Sequence, residues 1–169
     1  MRIVLVGMMG SGKSSVGRAL AARTGWPFHD NDALLEGATG RTARELAEGG
    51  EAVLRDAESA ALRAGLQRPE PAIVASAAGV VLDADDRRRL AAEEHVTWLR
   101  ASPETLRERL RSTDDDHRPW LDRDPDAWLR QTDADRAPLF ASIADLVVDV
   151  DDLRPGEAAG RILAAFGQT

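Results

Sequence analysis

The sequence predicts an α/β fold in which a parallel sheet is covered by helices on both faces. Three observations carry this. Short apolar runs recur along the chain, at residues 3–6, 26–28, 72–75, 96–99 and 146–148, with the length of buried strands. Longer segments of helical periodicity separate them, and strand-helix alternation calls for parallel pairing. The first run passes straight into a glycine-rich turn that opens a helix, the context of a phosphate-binding loop.

Each element has its own signal. Residues 3–6, Ile-Val-Leu-Val, read as a buried first strand. Residues 14–23 read as a helix with Val16, Ala19 and Leu20 on one face. Residues 26–28 form a short second strand ending at His29-Asp30-Asn31-Asp32. Helical stretches follow around 42–47 and 51–64. Residues 72–75, 96–99 and 146–148 supply the third, fourth and fifth strands. Helical patterns occupy 85–92, 103–111, 126–141 and 155–166, with Pro103 and Pro155 suited to first-turn positions. The segment from Ser112 to about Pro125 breaks the alternation. It is polar, contains prolines and lies between two helices, so it reads as a surface loop or as a mobile lid over the ligand.

Bulk properties exclude several classes. A chain of 169 residues suits one well-cored domain, expected to span 1–169. A net charge of −7 argues against a nucleic-acid partner, which needs a basic face. The absence of cysteine removes disulfides, thiolate metal sites and a cysteine nucleophile, and it fits a cytoplasmic location. No apolar run approaches the roughly 20 residues needed to span a bilayer, and no leader peptide is expected ahead of the first strand. No long apolar surface run demands a second copy, so a monomer is expected.

Of 22 basic side chains only Lys13 is a lysine. It stands in Gly7-Met8-Met9-Gly10-Ser11-Gly12-Lys13-Ser14, which fits G-x-x-x-x-G-K-[ST]. Elsewhere the chain uses arginine, whose planar fork cannot replace a compact ammonium at this position. Gly10, Ser11 and Gly12 would turn backbone N–H groups toward phosphate oxygens, and the helix opening near Lys13 would add its positive end. Lys13 would bridge the β- and γ-phosphates, Ser14 would ligate Mg²⁺, and Ser15 would complete the nucleotide-binding run.

Asp30 and Asp32 follow the second strand, where ligands of such sheets bind. Asp32 can be read as a helix N-cap. Both can also be read as an acid pair facing the loop, Asp30 supporting hydrated Mg²⁺ and Asp32 accepting the proton of an attacking hydroxyl. The third strand ends in Ser76-Ala77-Ala78-Gly79 without the acid many ATPases carry. The guanine-reading [NT]-K-x-D motif is absent, since the one lysine is already used.

In these motifs the chain resembles the shikimate kinases. Residues 7–21 are similar to that family's loop and first helix, and Asp30-Asn31-Asp32 to its Asp-x-Asp. Residues 50–58 resemble its Gly-Glu-x-x-Phe-Arg-x-x-Glu, Arg118-Pro119-Trp120-Leu121 its lid motif, and Arg136-Ala137-Pro138-Leu139-Phe140 its Arg-x-Pro-Leu-Tyr. The resemblance implies a five-stranded parallel sheet of order 2-3-1-4-5 with a mobile lid, and transfer from ATP to shikimate, giving shikimate 3-phosphate. It implies Asp32 as general base, and Arg55 and Arg136 as a clamp on the acceptor carboxylate, with Ala78 and Gly79 lining the same pocket. Arg118 would neutralise the transferring phosphoryl group, and Arg154 would flank the adenine.

The sequence departs from the family on the acceptor side. The family's Gly-Gly-Gly is Ala77-Ala78-Gly79, the Phe before the clamp arginine is Leu54, and the lid carries Trp120. An alanine there adds a methyl group and strains the backbone if φ is positive. Three further readings stay open at this point: a paralogue acting on another polyol or cyclitol, a nucleoside kinase, and a non-catalytic nucleotide-binding module.

Overall fold

The computed structural model describes residues 1–111 and 124–167. Five strands form one sheet, β1 (Arg2–Val6), β2 (Phe28–Asp30), β3 (Ala72–Ala75), β4 (Val96–Arg100) and β5 (Leu146–Asp149), in the order β2-β3-β1-β4-β5. Every pairing is parallel. Helices α1 (Lys13–Thr24), α2 (Asn31–Thr39), α3 (Ala43–Glu48), α4 (Glu51–Leu66), α5 (Ala84–Leu90), α6 (Pro103–Arg111), α7 (Pro125–Ala141) and α8 (Pro155–Ala165) surround it. The expected class and strand order both hold.

The central strand explains the core. Ile3, Val4, Leu5 and Val6 are fully buried, because β1 has a strand on each side and helices on both faces. They anchor a main cluster with Leu20, Ile73, Leu99, Leu106, Phe140 and Ile162. A satellite cluster of Leu35, Leu46, Leu54 and Ala61 joins α2, α3 and α4. Leu54 therefore packs among aliphatic helix residues.

Several boundaries move for local reasons. β2 begins at Phe28, two residues after the expected start; Pro27 keeps only its carbonyl for the ladder, accepting from Ile73 N at 2.9 Å. Asp30, not Asp32, caps α2: its carboxylate accepts from Asp32 N at 3.3 Å. Asp32 thus lies in the first turn, and α2 is a helix of its own. Asp124 caps α7 by accepting from Ala127 N at 3.1 Å, so Asp124 and Pro125 belong to the helix start rather than to the expected lid. A 3₁₀ turn, Val80–Leu82, follows β3, and Asp83 then caps α5 through Asp85 N and Asp86 N.

Candidate active site

β1 is the strand at which the sheet order turns, with β3 on one side and β4 on the other. Ligands of open parallel sheets bind at such a point, beyond the carboxyl ends of the strands. The loop after β1 lies there. Ser11 N donates to the Met8 carbonyl at 3.1 Å, closing the turn. Gly12, with φ +92°, holds a left-handed conformation immediately before α1, which a side chain would strain. The first N–H groups of α1 are thereby left for an anion.

Lys13 Nζ folds across this loop and donates to the Gly7 and Met8 carbonyls, both at 2.9 Å. Burial pushes its ammonium down to about 8, against the pull of Asp32, Asp30 and Glu58; Arg136 pushes in the same direction as burial. A half-buried cation whose hydrogen bonds go to neutral carbonyls is poised for a polyanion.

Opposite the loop, three elements converge. Arg55 extends from α4, Gly79 ends the turn after β3, and Arg136 extends from α7. Arg136 is 7% exposed and its Nη1 donates to the Ala78 carbonyl at 3.2 Å. Burial, with Arg55 beside it, lowers the Arg136 pKa. Arg55 Nη1 bonds Glu58 Oε2 at 2.6 Å, and its Nη2 reaches Glu51 Oε1 at 3.4 Å. Gly79 has ordinary backbone torsions, so conformational freedom is not why glycine stands there. A Cβ on it would overlap the Arg55 guanidinium and stand 2.6 Å from Glu58 Oε2. Among the described residues no non-glycine has positive φ, so Ala77 and Ala78 carry no such strain.

Glu58 is a member of this cluster to which the motif reading assigned no part. It is buried, and burial raises its pKa while Arg55 opposes the rise. Its spacing of three from Arg55 on a helix was the available signal. Arg109 was also missed. From α6 it donates to the Val150 carbonyl at 2.5 Å and to the loop carbonyl of Ser11 at 3.4 Å, bridging the phosphate-binding loop and the β5–α8 turn. One arginine among so many gave no sequence signal.

The remaining expected residues are distributed as follows. Gly10, Ser14 and Ser15 lie in the loop and the first turn of α1, and Ser15 is exposed. Asp30 and Asp32 lie at the end of β2 and in the first turn of α2, within the electrostatic field of Lys13. Arg154 is exposed and precedes α8, where its N–H donates to Glu157 Oε2 at 2.7 Å. Arg118 and Trp120 lie outside the described residues. No group of three or more potential acidic, histidine or cysteine metal ligands occurs among the described residues, and none of the described helices is long and apolar enough to cross a membrane.

The sheet order and this loop make the chain a P-loop kinase of the small-molecule type. The family model for shikimate kinase matches residues 9–166. The chain is 41% identical over 154 residues to the shikimate kinase of Symbiobacterium thermophilum, covering 89% of this chain and 87% of that one. It is 43% identical over 163 residues to that of Parasynechococcus marenigrum, covering 95% and 83%. The solved structure of shikimate kinase from Acinetobacter baumannii in complex with shikimate has a TM-score of 0.91 at 30% identity, covering 98% of this chain and 92% of that one. The chain belongs to the shikimate kinase family. Its activity is ATP-dependent phosphorylation of shikimate.

Proposed function

We propose that the chain performs this transfer by holding ATP in the loop 7–15 and the acceptor between Asp32 and the Arg55/Arg136 pair. The carrying observation is the convergence of Arg55, Glu58, Gly79 and Arg136 opposite Lys13. Two guanidinium forks suit a carboxylate, which accepts paired N–H bonds. The acceptor's 3-hydroxyl then faces the γ-phosphate. Its oxygen forms the new P–O bond, the bond to the β-phosphate oxygen breaks, ADP leaves, and the hydroxyl proton passes to Asp32. Lys13 follows the charge that develops between the phosphates.

The donor set fits Mg²⁺: Ser14 would supply one hydroxyl from the first turn of α1, and Asp30, in the field of Lys13, would support coordinated water. A Mg²⁺ ion with few protein ligands keeps waters and phosphate oxygens as the rest of its shell, and neutralises phosphate charge. Arg109 steadies the loop by tying it to the β5–α8 turn, and Arg154, exposed ahead of α8, would flank the adenine. For Arg118, outside the described residues, the family resemblance implies neutralising the transferring phosphoryl group. The protein acts as a cytoplasmic monomer.

An ADP-release assay across shikimate, quinate, cyclitols and nucleosides tests the acceptor side. Turnover with shikimate above all others is expected. ATP binding without acceptor-dependent ADP release, or turnover with a nucleoside alone, would overturn the reading.

A further inference from the structure

Arg55 is held by two carboxylates that differ in kind. Glu58 is a permanent partner. Its side chain is 10% exposed and lies 2.6 Å from Nη1, against the backbone of Gly79. Glu51 is a loose one. Its side chain is 63% exposed, and its Oε1 reaches Nη2 only at 3.4 Å. Glu51 also lies within the field of Arg136, the other clamp arginine. One exposed carboxylate therefore touches the Arg55 guanidinium and lies in the electrostatic field of Arg136.

We propose that Glu51 is a placeholder for the acceptor's carboxylate, occupying the open edge of Arg55 at rest and yielding it when a charged acceptor binds. The proposal rests on the Arg55/Arg136 clamp reading. Its physical basis is competition. A guanidinium edge engaged by one carboxylate must release it to engage another, so Glu51 weakens acceptor binding by the strength of its own contact. An exposed pair of this length is weak, which makes the displacement easy for shikimate. A neutral polyol has no charge to exchange for that of Glu51, so the arginine edge stays occupied. Glu51 thus sets acceptor affinity and favours acceptors that bear a carboxylate.

The test is Glu51→Gln, which keeps size and removes charge. KM for shikimate should fall about threefold, the range of one exposed ion pair, while KM for the uncharged methyl ester of shikimate stays as in the parent enzyme. A residue serving only to steady α4 would raise KM when altered, so the direction separates the two roles. An unchanged or raised KM for shikimate overturns the proposal, as does an equal fall for the ester. Arg55→Ala, measured alongside, keeps the failures apart. If it leaves KM for shikimate intact, the clamp itself is misread; if it raises KM while Glu51→Gln changes nothing, only the placeholder is wrong.

Discussion

Arg136 Nη1 donates to the carbonyl oxygen of Ala78 at 3.2 Å, joining two residues 58 positions apart in the chain. The bond fixes one edge of a buried guanidinium to backbone and orients the rest of its fork. It also explains how an alanine can stand where relatives carry glycine, since the arginine uses the carbonyl of that residue and not its side chain. The proposed acceptor site is bounded by this link and by its counterpart between Arg55 and Glu58.

Removing either guanidinium should therefore act on the acceptor alone. Arg55→Ala and Arg136→Ala are each expected to weaken acceptor use by roughly 2–5 kcal/mol, the loss typical of one partner of a buried charged contact. ATP affinity, measured by calorimetry, should hardly change. Equal loss of ATP binding would refute the division of the site into two halves.

Gly79→Ala should cripple shikimate binding, because the new methyl group takes the space of the Arg55–Glu58 pair. Ala78→Gly should do the opposite of what relatives suggest. With no positive φ to relieve, it adds only chain entropy in the unfolded state, lowering stability by about 0.4–1 kcal/mol. Steady-state kinetics and thermal unfolding of the two variants check this; a Gly79→Ala enzyme with normal KM would show that the pair can move.

Lys13 predicts an alkaline limit. Its ammonium titrates near 8 in the free protein because burial disfavours the charge, and bound triphosphate raises that value by favouring the charged form. Turnover per encounter with ATP, kcat/KM, should fall as pH rises past about 8, while kcat holds to higher pH. ATP binding on the alkaline side should take up a proton, read as a buffer-dependent heat. A flat kcat/KM profile across this range would contradict the assignment. Lys13→Arg should lose most turnover despite keeping its charge.

Glu58 predicts a conflict between stability and function. Its folded-state pKa lies above its ordinary value, so the folded protein binds more protons than the unfolded chain just above pH 4.5. Stability is lost as pH rises through that window and does not return at neutral pH. Glu58→Gln removes this pH dependence but also leaves the Arg55 guanidinium without its charged partner, so the variant's Tm should fall less than the parent's between acid and neutral pH. It should also raise KM for shikimate, because Arg55 loses its charged partner. A Tm difference between variant and parent that stays constant from acid to neutral pH would contradict the assignment.

Strand-helix alternation, the phosphate-binding loop and the strand ends were legible because they rest on local periodicity and on motifs whose chemistry needs contiguous residues. Asp30 shows where local reading fails: the same Asx chemistry suits two positions, and only backbone geometry shows that it, and not Asp32, caps α2. At Leu54 the family pattern has an aromatic residue, so the sequence pointed to a lost aromatic wall; what the side chain packs against, Leu35, Leu46 and Ala61, came only from the tertiary structure.

By itself the sequence determined the parallel α/β class and the position of Lys13 at a phosphate-binding loop, and it singled out the two arginines proposed as the clamp. Tertiary structure alone decided the company those groups keep. Glu58 closes on Arg55 over Gly79, Arg136 reaches Ala78, Arg109 joins the Ser11 and Val150 carbonyls, and burial lowers the Lys13 pKa. The reason is physical. Hydrophobic period and loop chemistry act over a few residues, whereas contact distance, desolvation and the field of neighbouring charges arise only when distant segments pack together.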